Sequence, residues 1–247
     1  MNISEMLGEY ERDYALAMLG VEDFPYQKLS GKTIVVDGES EYMKLTVCMS
    51  LLALNDKEKL SIKVFMLGNG NELSEKLAER NDFSLCSYEQ AAATEYNFFI
   101  STGICGLELN GTSAEYCRIT NNFARAISTA KSCLERCILL SDYRVYGELE
   151  RGLVISENEA GFVPFSNNGD MSQTIAVSIE TYFSAYAKQF NLPTIILRSG
   201  ILLGAKAELP KNFTDELFSA VAEGKQISLP NTRKKYSFTY LNEVIHA

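Results

Sequence analysis

The chain has 247 residues, 46% of them apolar and 22% charged, the balance of an ordinary soluble globular domain and not of a disordered or fibrous chain. Its net charge of −9 is the wrong sign for gripping nucleic acid or an anionic membrane, and no run approaches the roughly 18 apolar residues of a membrane span. The six cysteines are scattered without a Cys-x-x-Cys pair, so they are expected to be reduced, mostly buried thiols of a cytoplasmic protein with no metal bound.

The N-terminal stretch MNISEMLGEYERDY is acidic and lacks the apolar core of a secretory signal. Ile3, Met6, Leu7, Tyr10, Tyr14 and Met18 fall on one side of a helix over residues 3–19, with Ser4 as its N-cap and Gly20 as its stop. The following segment to Leu29, broken by Pro25, is expected to be an arm lying on the main domain. Lys32 to Val36 reads as a buried strand, Asp37-Gly38 as a turn, and Met43 to Leu54 as a helix. Strand, glycine turn and helix in that order form the setting of a dinucleotide site. Ser61 to Leu67 is a second strand, followed by Gly68-Asn69-Gly70-Asn71 and a short helix from Glu72 to Arg80. A weakly marked third strand lies around Phe83 to Leu85. Asn97 to Ser101 is the fourth, and it ends in Thr102-Gly103-Ile-Cys-Gly106. Those small residues fit either a cofactor lying close or a plain turn.

Thr112 to Leu134 reads as a long helix with Tyr116, Ile119, Phe123, Ile127 and Ala130 on one face. Cys137 to Leu140 is the fifth strand and leads into Ser141-Asp142-Tyr143-Arg144-Val145-Tyr146-Gly147. A long loop rich in Gly, Asn and Glu, Glu148 to Asp170, separates it from the next helix. That helix begins after Met171, and Ile175, Ile179, Tyr182, Phe183, Tyr186 and Phe190 share its apolar face. Asn191-Leu192-Pro193 stops it, and Thr194 to Leu197 is a short buried parallel strand. Beyond Gly204 come a helix from Leu209 to Glu223, a strand from Gly224 to Leu229, and the stretch Arg233-Lys-Lys-Tyr-Ser-Phe-Thr-Tyr-Leu-Asn-Glu243.

Glu180, Tyr182, Tyr186, the run Leu192 to Arg198 and the Val145-Tyr146-Gly147 ending resemble the extended short-chain dehydrogenase family, the NAD-dependent nucleotide-sugar epimerases and dehydratases. The resemblance spans about Gly31 to His246. It implies an α/β fold: a Rossmann-like, doubly wound parallel sheet over residues 31–200, with an N-terminal helical arm over 1–30 and a reduced C-terminal substrate lobe over 201–247. It also implies an NAD or NADP cofactor, a nucleotide-sugar ligand, and a dimer built on the two long helices.

Against that pattern the chemistry is thinned out. The family's helix opens Tyr-x-x-x-Lys; here the Tyr position is Ser172 and the Lys position Ala176, and none of the 13 tyrosines is followed four residues later by lysine. The family's catalytic Ser or Thr position is Asp142, with Ser141 one residue away on the opposite side of an extended strand. Asp142, Ser141, Tyr143 and Tyr146 are the remaining candidates for acid–base work. The glycine loop keeps Gly38, but its second glycine is Glu41 and its third is Lys44. A carboxylate about 5 Å from a phosphate costs about 3 kcal/mol at an effective dielectric near 20, which Lys44 partly offsets. The bland alternative is that Asp37, Glu39 and Glu41 satisfy the helix N-terminus. Asn69 stands where a ribose-binding acid is expected, and Thr102 and Gly103 complete the degenerate cofactor set. Arg198, Arg233, Lys234 and Lys235 are the candidates for a substrate phosphate, although Tyr236 holds the family's diphosphate-Arg position. His246 is the only histidine.

Three functions fit this set: a non-catalytic binding or assembly protein, pairing with itself or with an active homologue; a working NAD-dependent enzyme with atypical residues; and a pocket that holds a nucleotide without turnover. The losses of Tyr, Lys, hydroxyl and glycines coincide, and they favour the first.

Overall fold

The structure is a computed structural model that describes residues 25–147, 156–157, 171–203, 219–226 and 237–247. Its centre is a sheet of six parallel strands: β1 (Thr33–Asp37), β2 (Lys63–Leu67), β3 (Phe83–Cys86), β4 (Tyr96–Ser101), β5 (Cys133–Asp142) and β6 (Thr194–Ser199). They pair in the order β3-β2-β1-β4-β5-β6. The chain therefore winds outward from β1 to β3 and then returns to the far side of β1. That reversal opens a crevice at the carboxyl ends of β1 and β4, where open α/β sheets hold their ligands. Register keeps the strand ends level, with Asp37 beside Ser101 and Asp142 beside Ser199.

Apolar side chains on both surfaces of the strands build two cores. Val35, Phe99 and Leu139 pack under α3 (Tyr88–Ala92), α4 (Ser113–Thr129) and α5 (Ser172–Phe190). Ile34, Val36 and Leu140 belong to the opposite core, with α1 (Glu41–Glu58), α2 (Glu72–Leu77) and the short α6 (Leu241–His246). A separate parallel pair, β7 (Ile201–Leu203) and β8 (Phe238–Tyr240), follows the main sheet.

Local chemistry sets the element ends. The Ser40 hydroxyl accepts a bond from the Met43 N–H at the start of α1, and Lys59 closes that helix at φ 54°. Asn191 takes the same left-handed conformation after α5, and Pro193 then directs the chain into β6, as its sequence implies. On α4 the stripe Ile119, Phe123 and Ile127 is buried and Tyr116 half-buried, and Ala130, just past the helix end, is buried as well.

Several expectations need correcting. The helix expected to reach Leu134 ends at Thr129; a 3-10 turn follows and β5 already starts at Cys133, leaving Leu134 at 58% exposure. Tyr182 and Phe190 lie at the exposed flank of α5, whereas Ile175, Ile179 and Phe183 are buried against the sheet and Tyr186 packs half-buried beside them. The helix expected to end at Arg80 stops at Leu77; Arg80 instead bridges Asp56 and Asp82, 7% exposed. The short α3 after β3 carried no long periodicity, yet Ser87 and Gln90 cap it reciprocally. Gly224 sits in a turn at φ +64° rather than opening a strand. The helix expected over residues 3–19, most of the loop expected over 148–170 and most of the elements expected over 205–236 lie outside the described residues.

Candidate functional site

At the end of β1 the backbone makes a tight turn against the end of β4. Gly38 has φ +151°, and a Cβ there would stand 1.8 Å from the Thr102 hydroxyl oxygen. Only glycine lets the β1 and β4 turns meet so closely. The two turns are also stitched together, with Thr102 N–H donating to the Asp37 carbonyl at 2.8 Å and Glu39 N–H to the Gly103 carbonyl at 3.0 Å. Gly103 in turn has φ +51°, with the Leu140 carbonyl 2.9 Å from where a side chain would begin.

Side chains fill the rest of this end. The Lys44 ammonium lies 3.0 Å from Glu41 Oε2 and donates to the Leu67 carbonyl at 3.3 Å, so it rests against the end of β2. Glu39 turns away toward α4, where Arg118 and Asn122 donate to its two oxygens. Ser40 supplies the side-chain cap of the helix, while Glu41 lies in its first turn, where its charge suits the helix N-terminus; Glu39, bonded to α4, does not cap it. Asp37 is buried and accepts from the Ser101 hydroxyl at 3.3 Å. Burial pushes its pKa up to about 6, against the pull of Lys44. Two buried atoms here, Glu41 Oε1 and Thr102 Oγ1, have no protein partner. Asn69 is exposed.

At the ends of β5 and β6 the arrangement is tighter. Asp142 is 4% exposed and accepts from the Arg144 Nε at 2.8 Å and the Arg144 backbone N–H at 2.9 Å. The same guanidinium donates to the carbonyls of Leu107 and Ile104 at 3.2 and 3.1 Å. One ion pair thus ties the end of β5 to the turn after β4. Beside it, Arg198 forms a two-point bond with Glu180 at 2.9 and 2.8 Å and lies over the Tyr146 ring at 4.9 Å. Its remaining nitrogen donates to the Glu157 carbonyl. The carboxylate raises the Arg198 pKa still further from neutrality. Ser141 is buried, and Ser199 donates to its carbonyl at 3.3 Å. Ser172 opens α5, while Ala176 is buried in the core at 2% exposure.

The structure therefore gathers Gly38, Glu41, Lys44, Thr102, Gly103, Ser141, Asp142, Tyr146 and Arg198 along one carboxyl edge. Arg233 and Lys235, with Lys234 and Tyr236 beside them, lie outside the described residues. Glu243 caps the start of α6, accepting from Tyr240 N–H at 3.3 Å. Among the described residues no cluster of acids, histidines and cysteines fits a metal ion, and no helix is long and apolar enough to cross a membrane. Sequence reasoning missed Arg144, although its place two residues after Asp142 at a strand end was a usable signal. The bonds from Arg118 and Asn122 to Glu39 bridge about eighty residues and left none.

No protein-family model matches the sequence, and no curated protein matches it. Solved structures do match by fold. UDP-glucuronic acid 4-epimerase from Bacillus cereus, in complex with NAD, superposes with TM-score 0.63 at 18% identity, covering 86% of this chain and 70% of the enzyme. A dTDP-glucose 4,6-dehydratase from Streptomyces venezuelae, with NAD bound, gives 0.64 at 13% identity, over 87% and 70%. UDP-N-acetylglucosamine 4-epimerase from Bacillus cereus gives 0.62 at 13%, over 87% and 71%. The chain has the Rossmann-type fold of these NAD-dependent epimerases and dehydratases.

Proposed function

We propose that this chain is a non-catalytic protein on the epimerase/dehydratase fold, acting by binding or assembly and not by turnover. One observation carries the reading: the charged groups at the sheet's carboxyl edge are engaged with one another. Lys44 faces Glu41 and the Leu67 carbonyl, Arg144 holds Asp142, and Arg198 holds Glu180. Hydride transfer needs a proton donor or acceptor beside a nicotinamide. Ser172 and Ala176 supply none at the positions that resemble the family's dyad, and Asp142 already accepts bonds from a buried guanidinium.

The cofactor end supports the same reading. The neighbouring enzymes are crystallised with NAD, whose pyrophosphate needs free amide donors and a small residue at the second glycine. In this chain Glu41 occupies that place, and the N–H groups of Glu39 and Met43 are engaged by Gly103 and Ser40. NAD, NADP and a nucleotide-sugar are therefore ligands that this fold implies and these side chains do not fit. Tyr182 and Phe190 on the outer flank of α5, with the Phe190 ring 4.4 Å from that of Tyr186, offer a face for a second copy or an active homologue. The six free cysteines fit a reducing compartment such as the cytoplasm.

Calorimetric titration with NAD+, NADH, NADP+ and NADPH tests the proposal. The expected result is no heat and no thermal shift at millimolar cofactor. Micromolar binding of any of the four, followed by turnover of a UDP- or dTDP-sugar, would overturn it.

A further inference from the structure

Strands β4 and β5 do not pair in even register. Tyr96 pairs with Cys133 but Phe98 with Arg136, so β5 carries one extra residue in a bulge. The bulge is pinned at Glu135, which accepts from the Asn97 side-chain amide at 2.7 Å and from the Lys32 ammonium. It turns two successive backbone N–H groups, those of Glu135 and Arg136, toward the Cys133 sulfur, and the Phe99 N–H reaches the same atom. Successive amides aimed at one point form a concavity for negative charge. A second thiol completes it, since the Cys137 S–H also donates to the Cys133 sulfur. In its neutral form the Cys133 thiol donates toward the carbonyls of Asn97 and Arg136, each 3.2 Å away.

These donors, the Cys137 thiol first, outweigh burial and hold the Cys133 pKa below the ordinary thiol value, while the same bond and burial push Cys137 up. Tyr96 of β4 and Tyr186 of α5 face the pair with their hydroxyls engaged by Thr129 and the Ser128 carbonyl. The side chains of Glu135 and Arg136 lie on the opposite face of the sheet, beside Ile138 and Leu140. Cys86 is a natural control. It matches Cys133 in exposure, 8% against 9%, yet its thiol donates to the Ser87 carbonyl and burial raises its pKa. Cys48 and Cys105 are sealed in the core, and burial raises both.

We propose that Cys133 is a modification site, a thiol that small hydroperoxides oxidise to a lasting sulfenic acid. The thiolate sulfur attacks the terminal peroxide oxygen; the S–O bond forms as the O–O bond breaks. Sulfur gives two electrons to the peroxide, and the departing oxygen takes up the proton that the thiol released and leaves as an alcohol or water. A disulfide to Cys137 does not follow. The two cysteines pair with Tyr96 and Phe99, three residues apart on β4, so about 10 Å separates their Cα atoms, beyond the roughly 7 Å that a disulfide spans. Two equivalents of a small thiol restore Cys133, leaving as their own disulfide with release of water.

The test treats the full chain at pH 7 with substoichiometric hydrogen peroxide and dimedone, which caps sulfenic acids, and reads its peptides by mass spectrometry. The expected result is an adduct on Cys133 at least several-fold above that on Cys86 or on Cys117, which is exposed on α4. Cys137→Ala should slow the labelling several-fold and move the midpoint of its pH profile upward, whereas Cys137→Ser, which keeps a donor, should restore it. Unlabelled Cys48 and Cys105 mark a folded variant. Labelling led by Cys117 or Cys86, labelling of Cys133 that Cys137→Ala leaves unchanged, or a 133–137 disulfide in place of the adduct would overturn the inference.

Discussion

The two halves of the crevice accommodate their charged side chains in different ways. At the ends of β5 and β6, carboxylates meet guanidinium groups in multiply bonded pairs, Asp142 with Arg144 the deeper and Glu180 with Arg198 partly open to solvent. At the end of β1 the charges are less well matched. Asp37 is buried with its pKa pushed up to about 6, and Glu41 Oε1 and Thr102 Oγ1 have no protein partner. The first arrangement holds the sheet edge together; the second is tolerated by it. Charge removal should therefore have opposite effects in the two halves.

The largest effect is expected at Asp142. Asp142→Ala leaves the Arg144 guanidinium buried without its counter-charge, and breaking such a pair costs about 3–5 kcal/mol. Urea denaturation would read the loss as a lower midpoint at unchanged slope. Adding Arg144→Leu should recover part of it, because the stranded charge is then gone. A loss below about 1 kcal/mol would break the comparison by showing that the pair holds nothing in place.

Asp37 should respond the other way. Its folded pKa of about 6 exceeds the 3.8 of an unperturbed carboxyl, so between these values the folded state binds the proton more tightly than the unfolded chain. Stability from this group therefore falls as pH rises through 3.8 to 6. A carboxyl held that far above its ordinary value forfeits about 3 kcal/mol once the pH has passed 6. Asp37→Asn, which keeps the shape and escapes the ionisation, is expected to be more stable than the parent by up to about 3 kcal/mol at pH 7. The difference should close by pH 4. Parallel denaturation curves at both pH values would show it, and a variant that is less stable at pH 7 would mean that the Lys44 attraction outweighs burial.

The fold was legible because its signals are local. Apolar runs such as Lys32 to Val36, the Pro193 break and the stripe on α4 depend on neighbours a few residues apart. Boundaries failed where tertiary contacts decide, as at Cys133 and Leu134, where pairing with β4 captures residues of helical appearance. The candidate site was half legible. Ser172, Ala176, Glu41 and Lys44 could be placed by motif spacing, and the structure sets them at the start of α5 and of α1. The ion pairs around them could not be, since Glu180 and Arg198 are 18 residues apart and Glu39 and Arg118 79, and no periodicity couples such distances.

Glu180→Gln sharpens the comparison at smaller amplitude. Gln keeps one bond to Arg198 and loses the charge, and the guanidinium is partly open to solvent at 27% exposure. A cost of about 1–2 kcal/mol is expected in urea denaturation, below that of the deeper Asp142 pair.

Glu41→Gln is the weakest change and the most discriminating. Glu41 is half-exposed and one of its oxygens lacks a protein partner, while Gln can still accept from Lys44 through its own carbonyl. Folding stability should move by no more than about 1 kcal/mol, measurable by thermal unfolding against the parent. Were a pyrophosphate to lie at this turn as the proposed reading supposes, the same change would remove a like charge beside it, an obstacle of about 3 kcal/mol or ~100-fold in affinity. If charge alone closed the site, Glu41→Gln would bring NAD+ binding into the range of calorimetry. If the engaged amides of Glu39 and Met43 close it as well, the variant should bind no better than the parent. The second outcome is expected, because neutralising one carboxylate frees none of those donors.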